Sequence, residues 1–227
     1  MSRSHLAALM FALSSLLGAQ DATVRGTVSL VHRARNESSS SDVIVWLTPA
    51  HSSETVPPGA TVRLVQKNKR FIPHVQAVTL GTEIEFPNQD PFFHDVFSIY
   101  HGKPFDLGLY ESGSIRKIKF TQPGVSYIFC NIHPEMSAAV LVLRTPYFAV
   151  TGDDGSFRIN QLTPGQYKLE VWYEFSPESE LAALSQTLQI AAGENILGVI
   201  TLHSSDAPQE HLNKYGEPYS SSMPDKY

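Results

Sequence analysis

Cysteine is almost absent from this chain, which contains a single one, Cys130, in 227 residues. A lone thiol cannot form an intramolecular disulfide, so a scaffold held together by disulfides is excluded. In an oxidising compartment a free thiol is a liability unless it is buried or bound to a metal. The role of Cys130 therefore has to be explained by its neighbours.

An excess of basic residues is also missing. The chain has 17 Lys and Arg residues against 22 Asp and Glu residues, a formal net charge of −5. Nucleic-acid binding needs clustered positive charge, so this function class is excluded. No apolar run reaches the roughly 20 residues that cross a bilayer as a helix, so we expect no transmembrane segment in the mature protein.

Residues 1–19 have the pattern of a secretory signal. Arg3 supplies a basic start, residues 6–17 form an apolar run, and Gly18 and Ala19 form a small-residue exit. We predict cleavage after Ala19, with Ala22 as the nearby alternative, and a periplasmic or otherwise extracytoplasmic mature protein. An uncleaved N-terminal anchor is the alternative.

The rest of the sequence is patterned as short strands. Runs of β-branched and apolar residues alternate with turn residues, and only residues 177–184 could form a short helix. Residues 152–155, Gly-Asp-Asp-Gly, are interpreted as a hairpin turn, because they lack the ligand spacing of a calcium loop. We predict an all-β fold built of Greek-key sandwiches.

Three potential ligands follow one another at intervals of three residues: Cys130, His133 and Met136. Thiolate, imidazole and thioether suit copper, and one more histidine would complete a trigonal His₂Cys site with a weak axial Met. His94 is the best candidate, because it begins a predicted strand after the loop at residues 88–93. The sequence thus predicts a mononuclear site for one copper ion.

Other interpretations of these residues remain. Cys130 and Met136 are ordinary core residue types, so their spacing from His133 could be coincidental. Zinc is disfavoured because thioether is a poor zinc ligand and structural zinc sites use more than one Cys. A binuclear copper centre needs a second Cys, which the chain lacks. A copper site in which the carboxylate of Glu135 replaces Met136 as a ligand stays open. His74 and His101 are interpreted as surface or turn histidines rather than metal contacts.

The ligand loop resembles that of the cupredoxins, specifically the Cys-x-x-His-x-x-Met loop of amicyanin. Residues 86–98, 105–110 and 123–125 are similar to plastocyanin-like domains of proteins labelled methylamine-utilisation proteins. The resemblance covers roughly residues 60–145. It implies a Greek-key cupredoxin domain at 51–145, with copper held by His94, Cys130, His133 and Met136.

One position departs from the cupredoxin pattern. Many cupredoxins carry Asn directly after the first His ligand, where it braces the ligand loop by hydrogen bonds, whereas this chain has Asp95. A carboxylate can accept hydrogen bonds but cannot donate them, so the hydrogen bonds around the site are expected to differ.

The C-terminal half resembles the carboxypeptidase regulatory-like domain, a small transthyretin-like sandwich, in residues 151–157 and 162–169. The opening strands of that family are similar to two strands near the N-terminus of this chain. The resemblance implies a split sandwich made of residues 22–50 with 146–202, into which the copper domain is inserted. The alternative assigns the two N-terminal strands to the copper domain. Residues 203–227 are predicted to be a disordered tail.

These inferences lead to one favoured function. We expect a one-electron carrier that docks to redox partner proteins. No Ser-His-Asp set or paired carboxylates are recognisable, so an enzyme is not predicted. A copper-binding or delivery module is the first alternative, although such modules are often methionine-rich and this chain has four Met residues. A surface β-sandwich binding protein with no redox role is the second.

Overall fold

The structure is a computed structural model. It describes residues 21–32, 40–51, 56–99, 101–204 and 211–219. The signal predicted at residues 1–19 therefore lies outside the described residues. Within the described ranges no helix is both long and apolar enough to cross a membrane.

Strands make up 54% of the described residues and helix 3%, which confirms the all-β prediction. The first nine strands are β1 Ala22–His32, β2 Ile44–Pro49, β3 Val62–Arg63, β4 Val65–Gln66, β5 Phe71–Ile72, β6 Val75–Thr79, β7 Glu83–Pro87, β8 His94–Ser98 and β9 Phe105–Tyr110. The other elements are β10 Ile115–Lys119, β11 Gly124–Cys130, β12 Ser137–Leu143, β13 Phe148–Val150, β14 Ser156–Leu162, β15 Gly165–Trp172, α1 Glu178–Ala183, β16 Gln186–Ile190 and β17 Gly193–Ser204. The short predicted helix is α1.

The middle of the chain forms one sandwich. A five-stranded sheet in the order β6-β12-β11-β8-β9 packs against a three-stranded sheet in the order β10-β7-β3. Side chains that alternate inward from these strands form a single apolar core, since successive residues of a strand point to opposite faces. That core includes Phe86, Val96, Phe120, Cys130 and Met136.

The two N-terminal strands pair with strands from the C-terminal half. Strand β1 lies between β14 and β17, and β2 lies between β13 and β15, with β16 at the edge of the second sheet. A separate core fills the space between these two sheets, and its members include Val24, Leu47, Phe157, Leu169 and Leu202. A third apolar cluster, which includes Ile44, Leu141 and Trp172, joins the two sandwiches.

The turn at residues 152–155 exists, but the hairpin prediction is wrong. Strand β13 pairs with β2, whereas β14 pairs with β1, so the turn carries the chain from one sheet to the other. Gly155 has a φ of +73°, and a Cβ at this position would lie 2.1 Å from the carbonyl oxygen of Val28. Glycine is therefore required here both for its backbone conformation and for the close approach of β1.

The tail differs from the prediction of disorder for residues 203–227. Strand β17 continues to Ser204, and residues 211–219 form a turn in which the side-chain oxygen of Asn213 accepts hydrogen bonds from the backbone N–H groups of Tyr215 and Glu217. Polar composition predicted disorder because it does not reveal partners elsewhere in the fold. Residues 205–210 and 220–227 lie outside the described residues.

Candidate metal centre

The candidate centre lies where two neighbouring strands meet at one end of the five-stranded sheet. His94 is the first residue of β8, and Cys130 is the last residue of β11. The two strands are antiparallel, with Val96 opposite Cys130, so the start of one lies beside the end of the other. The loop from β11 to β12 then carries His133 back over the same end of the sandwich.

The three side chains converge on one point. Nδ1 of His94 and Nδ1 of His133 each lie 3.6 Å from Sγ of Cys130. One ligand atom from each residue lies within 4.8 Å of the other two, and within the described residues this is the only such group of three. His94 and Cys130 are fully buried, and His133 is 9% exposed. The structure thus brings together three of the four residues predicted as ligands.

Asp90 orients the imidazole of His94. Oδ2 of Asp90 lies 2.9 Å from Nε2 of His94, and both side chains are buried. A carboxylate only accepts hydrogen bonds, so the proton of the neutral ring is on Nε2, and Nδ1 presents its lone pair toward Sγ of Cys130. In metal sites, a hydrogen bond at the ring nitrogen that does not bind the metal fixes the orientation and the tautomer of the histidine.

Hydrogen bonds from two loops hold Asp90 in place. The carboxylate of Asp90 accepts hydrogen bonds from the backbone N–H groups of Asn68 and Lys69, which lie between β4 and β5. Asn88, which is buried, accepts a hydrogen bond from the backbone N–H of Asp90 and donates one to the carbonyl oxygen of Phe92. Sequence reasoning missed the role of Asp90; its position four residues before the histidine, in the same loop, was the available signal.

Burial sets the protonation of the site. Burial lowers the pKa of His94, although the hydrogen bond to Asp90 partly opposes this effect. Burial also lowers the pKa of His133, and the nearby His94 adds to the effect. Both imidazoles are therefore neutral near pH 7, which is the form that binds metals.

The thiol is affected in the opposite direction. Burial raises the pKa of Cys130, while the backbone amides of Asp95, Ile132 and His133 partly offset this by favouring the thiolate. A metal ion bound among these atoms would lower the pKa of Cys130 further, because a bound metal deprotonates a coordinating thiol. Two nitrogen donors and one sulfur donor in a buried pocket fit copper better than a hard cation.

Met136, the fourth predicted ligand, is fully buried and packs in the same apolar core as Cys130. Its backbone closes the loop: the N–H of Met136 donates to the carbonyl oxygen of His133, and its own carbonyl accepts from the N–H of Cys130. These bonds form a compact turn of the backbone around the side chains of Cys130 and His133.

The three phenylalanines that flank His94 in the sequence, Phe92, Phe93 and Phe97, have different positions. The ring of Phe92 contacts both histidines, with centroid separations of 5.4 Å to His94 and 5.3 Å to His133. Phe93 is 38% exposed, and Phe97 is buried against Phe129 in the sheet. Phe92 is thus the residue that shields the pocket, and Phe97 belongs to the core.

The side chain of Asp95 has no N–H group to donate, and it instead accepts hydrogen bonds from two neighbouring residues. Its carboxylate accepts a hydrogen bond from the side-chain amide of Asn131, 3.2 Å away, and forms an ion pair with Nζ of Lys214 at 2.9 Å. Its backbone carbonyl also accepts from the N–H of Asn131. The donating amide is therefore on the ligand loop, and the acceptor is next to His94. Sequence reasoning did not identify Asn131 or Lys214.

The other two histidines of this region do not join the cluster. His74 forms an ion pair with Glu174 through Nε2 at 2.6 Å, and its Nδ1 lies 3.1 Å from the carbonyl oxygen of Ser137. His101 packs edge-on against Tyr127 with a centroid separation of 6.5 Å. His74 therefore connects the two sandwiches.

Comparison with known proteins gives structural neighbours only. No protein-family model matches the sequence, and no curated protein matches it. A copper-containing nitrite reductase from Thermus scotoductus is 27% identical over 43% of this chain and 26% of its own length, with a TM-score of 0.36. A purple cupredoxin from Nitrosopumilus maritimus is 21% identical over 36% of this chain and 99% of its own, with a TM-score of 0.33.

Amicyanin is also among the neighbours. A point mutant of amicyanin in its reduced form is 16% identical over 38% of this chain and 92% of its own, with a TM-score of 0.35. The chain thus spans about a quarter of the nitrite reductase but nearly all of the two small copper proteins.

Proposed function

We propose that this protein is an extracytoplasmic one-electron carrier with a mononuclear type 1 copper site. His94, Cys130 and His133 would hold the ion, with Met136 as the weak axial ligand. The observation that carries the proposal is that Nδ1 of His94 and Nδ1 of His133 both approach Sγ of Cys130. Nε2 of His94 is at the same time hydrogen-bonded to Asp90. Copper would supply the Cu(II)/Cu(I) couple when bound.

The residues around the site favour electron transfer over open-site chemistry. Asp90 fixes the ring of His94, and the Met136 and Cys130 backbones close the loop, so the donor atoms are held in one arrangement. A site that changes little between oxidation states exchanges electrons with a small reorganisation cost. The ring of Phe92 packs against both imidazoles, and no open position beside the donor atoms is evident among the described residues, so we do not propose an enzyme.

The ring of His133 is the proposed point of contact with a redox partner. His133 is 9% exposed, whereas His94, Cys130 and Met136 are fully buried. An electron would therefore leave through the ligand nearest the surface. The partner protein, and a role for the second sandwich in docking to it, are part of this proposal and rest on the resemblance to carrier domains.

The experiment is copper loading of the mature protein, followed by metal analysis, absorption and EPR spectroscopy. We expect one copper ion per chain, an intense visible band from thiolate-to-Cu(II) charge transfer, and its reversible loss on reduction. Cys130→Ser removes the thiolate and should abolish the band, while the matched control Ser126→Ala, in the same strand, should retain it. Absence of the band in the copper-loaded parent protein would refute the proposal.

A second measurement separates a carrier from a delivery module. A carrier should pass repeatedly between oxidised and reduced forms without losing copper to a chelator present in moderate excess. A delivery module should surrender the ion on the timescale of the titration. Rapid loss in both oxidation states would replace the carrier by the delivery function.

A further inference from the structure

Residues 211–219, here called the C-terminal brace, lie against the ligand loop. Three polar contacts join the two segments: Nε2 of His211 donates to the carbonyl of Pro134 at 2.8 Å, the hydroxyl of Tyr219 donates to the carbonyl of Cys130 at 3.0 Å, and the N–H of Lys214 donates to the side-chain oxygen of Asn131 at 3.1 Å. Cys130 ends β11, and Asn131 and Pro134 lie in the loop that follows it and carries His133.

The brace also packs on the sheet beneath the loop. The imidazole of His211 stacks on the ring of Phe129, with centroids 3.9 Å apart and planes inclined by 24°. Phe129 immediately precedes Cys130 in β11. The hydroxyl of Tyr219 lies 3.2 Å from Nδ1 of His211, so the two anchoring side chains of the brace also contact each other.

Lys214 extends the brace to the other ligand-bearing strand. Its ammonium group pairs with Asp95 at 2.9 Å and with Asp106 at 3.1 Å, and its side chain is only 13% exposed. Asp95 follows His94, and Asn131 follows Cys130. Lys214 contacts both, through its side chain and its backbone respectively, so one residue of the brace holds the neighbours of two predicted ligands together.

We propose that the C-terminal brace is a positioning element of the copper site, with Lys214 and Tyr219 as positioning residues that hold the ligand loop closed around the ion. The proposal rests on the proposed function for its metal and on the contacts of residues 211–219 for its geometry. Lys214 compensates the negative charge of Asp95. An asparagine at position 95, as in many cupredoxins, would carry no charge and would need no counter-ion. Tyr219 fixes the carbonyl of Cys130, and His211 fixes that of Pro134.

The test uses the full chain with Lys214→Met and Tyr219→Phe, and a version that ends at Ser204. Lys168→Met is the matched control, because Lys168 forms an ion pair with Glu170 on the other sandwich. The first readout is hydrogen–deuterium exchange of the backbone amides of residues 131–133, 135 and 136 in the metal-free protein. We expect faster exchange in the three brace variants and no change in the control.

The second readout is the rate of copper loss to a chelator. Supporting residues of a metal site typically contribute 10–100-fold in affinity, so we expect loss to be about 10-fold faster in Lys214→Met and in the truncated chain. The double variant Asp95→Asn with Lys214→Met removes both charges and should recover part of the loss. Tyr219→Phe deletes only a hydroxyl, so it tests the brace even if the larger changes impair folding.

The outcomes are distinct. If loop exchange and copper loss in all brace variants match those of the control, the proposal is overturned. If the parent protein does not bind copper, the proposed function fails, but the exchange measurement on the metal-free chain still decides whether residues 211–219 hold the loop.

Discussion

Nε2 of His74 lies 2.6 Å from a carboxylate oxygen of Glu174, and this pair joins the strand that follows His74 in one sandwich to the end of β15 in the other. The hydrogen bond to Glu174 raises the pKa of His74 above its ordinary value of 6.5, against the opposing effect of burial. The nearby Asp42 also favours the charged ring. The connection between the sandwiches is therefore sensitive to pH.

The first prediction follows from the sign of that shift. A raised pKa in the folded state stabilises the protein fully below about pH 6.5, and this contribution is lost as the pH rises through the higher folded value. The side chain of His74 is 38% exposed, so we expect a loss of at most about 1 kcal/mol. Thermal unfolding between about pH 5.5 and pH 8.5, a range chosen about the ordinary histidine pKa, measures it.

His74→Gln should flatten that pH dependence, and His51→Gln, at an exposed position, should leave it as in the parent. Burial also raises the pKa of Asp42. Its contribution to the stability of the protein therefore decreases in the same direction, as the pH rises from about 3.8 through the folded value. An unchanged slope in His74→Gln would contradict the prediction.

The second prediction concerns Asp90. Asp90→Ala removes the acceptor for Nε2 of His94, so the ring is free to rotate and to change tautomer. We expect copper affinity to fall by about 10–100-fold, measured by competition with a chelator of known affinity. Asp90→Asn keeps an oxygen acceptor and should lose less. Asp154→Ala, at an exposed turn of the other sandwich, is the control; equal affinities for Asp90→Ala and this control would contradict the role assigned to Asp90.

The third prediction separates packing from ligation at Met136. Met136→Leu conserves volume, so the free energy of unfolding of the apo protein should change by less than about 1.5 kcal/mol, whereas Met136→Ala leaves a cavity and should cost about 2–5 kcal/mol. If the thioether is the axial ligand, Met136→Leu should raise the reduction potential, because the axial ligand tunes it. An unchanged potential would assign Met136 to the core alone.

The fourth prediction concerns the turn between β13 and β14. Gly155→Ala places a Cβ against the carbonyl of Val28 in a left-handed backbone conformation, so we expect a loss of at least about 1–2 kcal/mol in chemical unfolding. Gly165→Ala is the matched control, since its Cβ would meet no atom closer than 4.0 Å. Equal stabilities would show that the backbone of β1 can move away.

The sequence predicted the features that depend on local pattern. Short runs of β-branched and apolar residues indicated the fold class, and the three-residue spacing placed His133 and Met136 on one tight loop directly after the strand that Cys130 ends. The convergence with His94 was also predictable, since a histidine at a strand start after a polar loop can reach the same sheet end. Asp90 and Asn131 were harder, because their roles depend on hydrogen-bond geometry that residue type alone does not specify.

The brace was not predictable from composition. Residues 211–219 are polar and resemble a disordered tail, yet the side chain of Lys214 is only 13% exposed because Asp95 and Asp106 bind its ammonium group in the folded sandwich. Likewise, Gly152 and Gly155 signalled a turn but not its partners, and only the pairing of β13 and β14 with different sheets shows that the turn is a corner.

The pairing of β1 has a consequence for biosynthesis. Both of its sheet neighbours, β14 and β17, are made more than 120 residues later, whereas the strands of the other sandwich, β3 to β12, follow one another without interruption in the chain. Contacts that close long loops form slowly. The sandwich of β3 to β12 can therefore assemble while the first strand still has an open edge, and that edge is exposed to aggregation until the last strand emerges. Nascent chains halted before Gly193 should require a chaperone to stay dispersed.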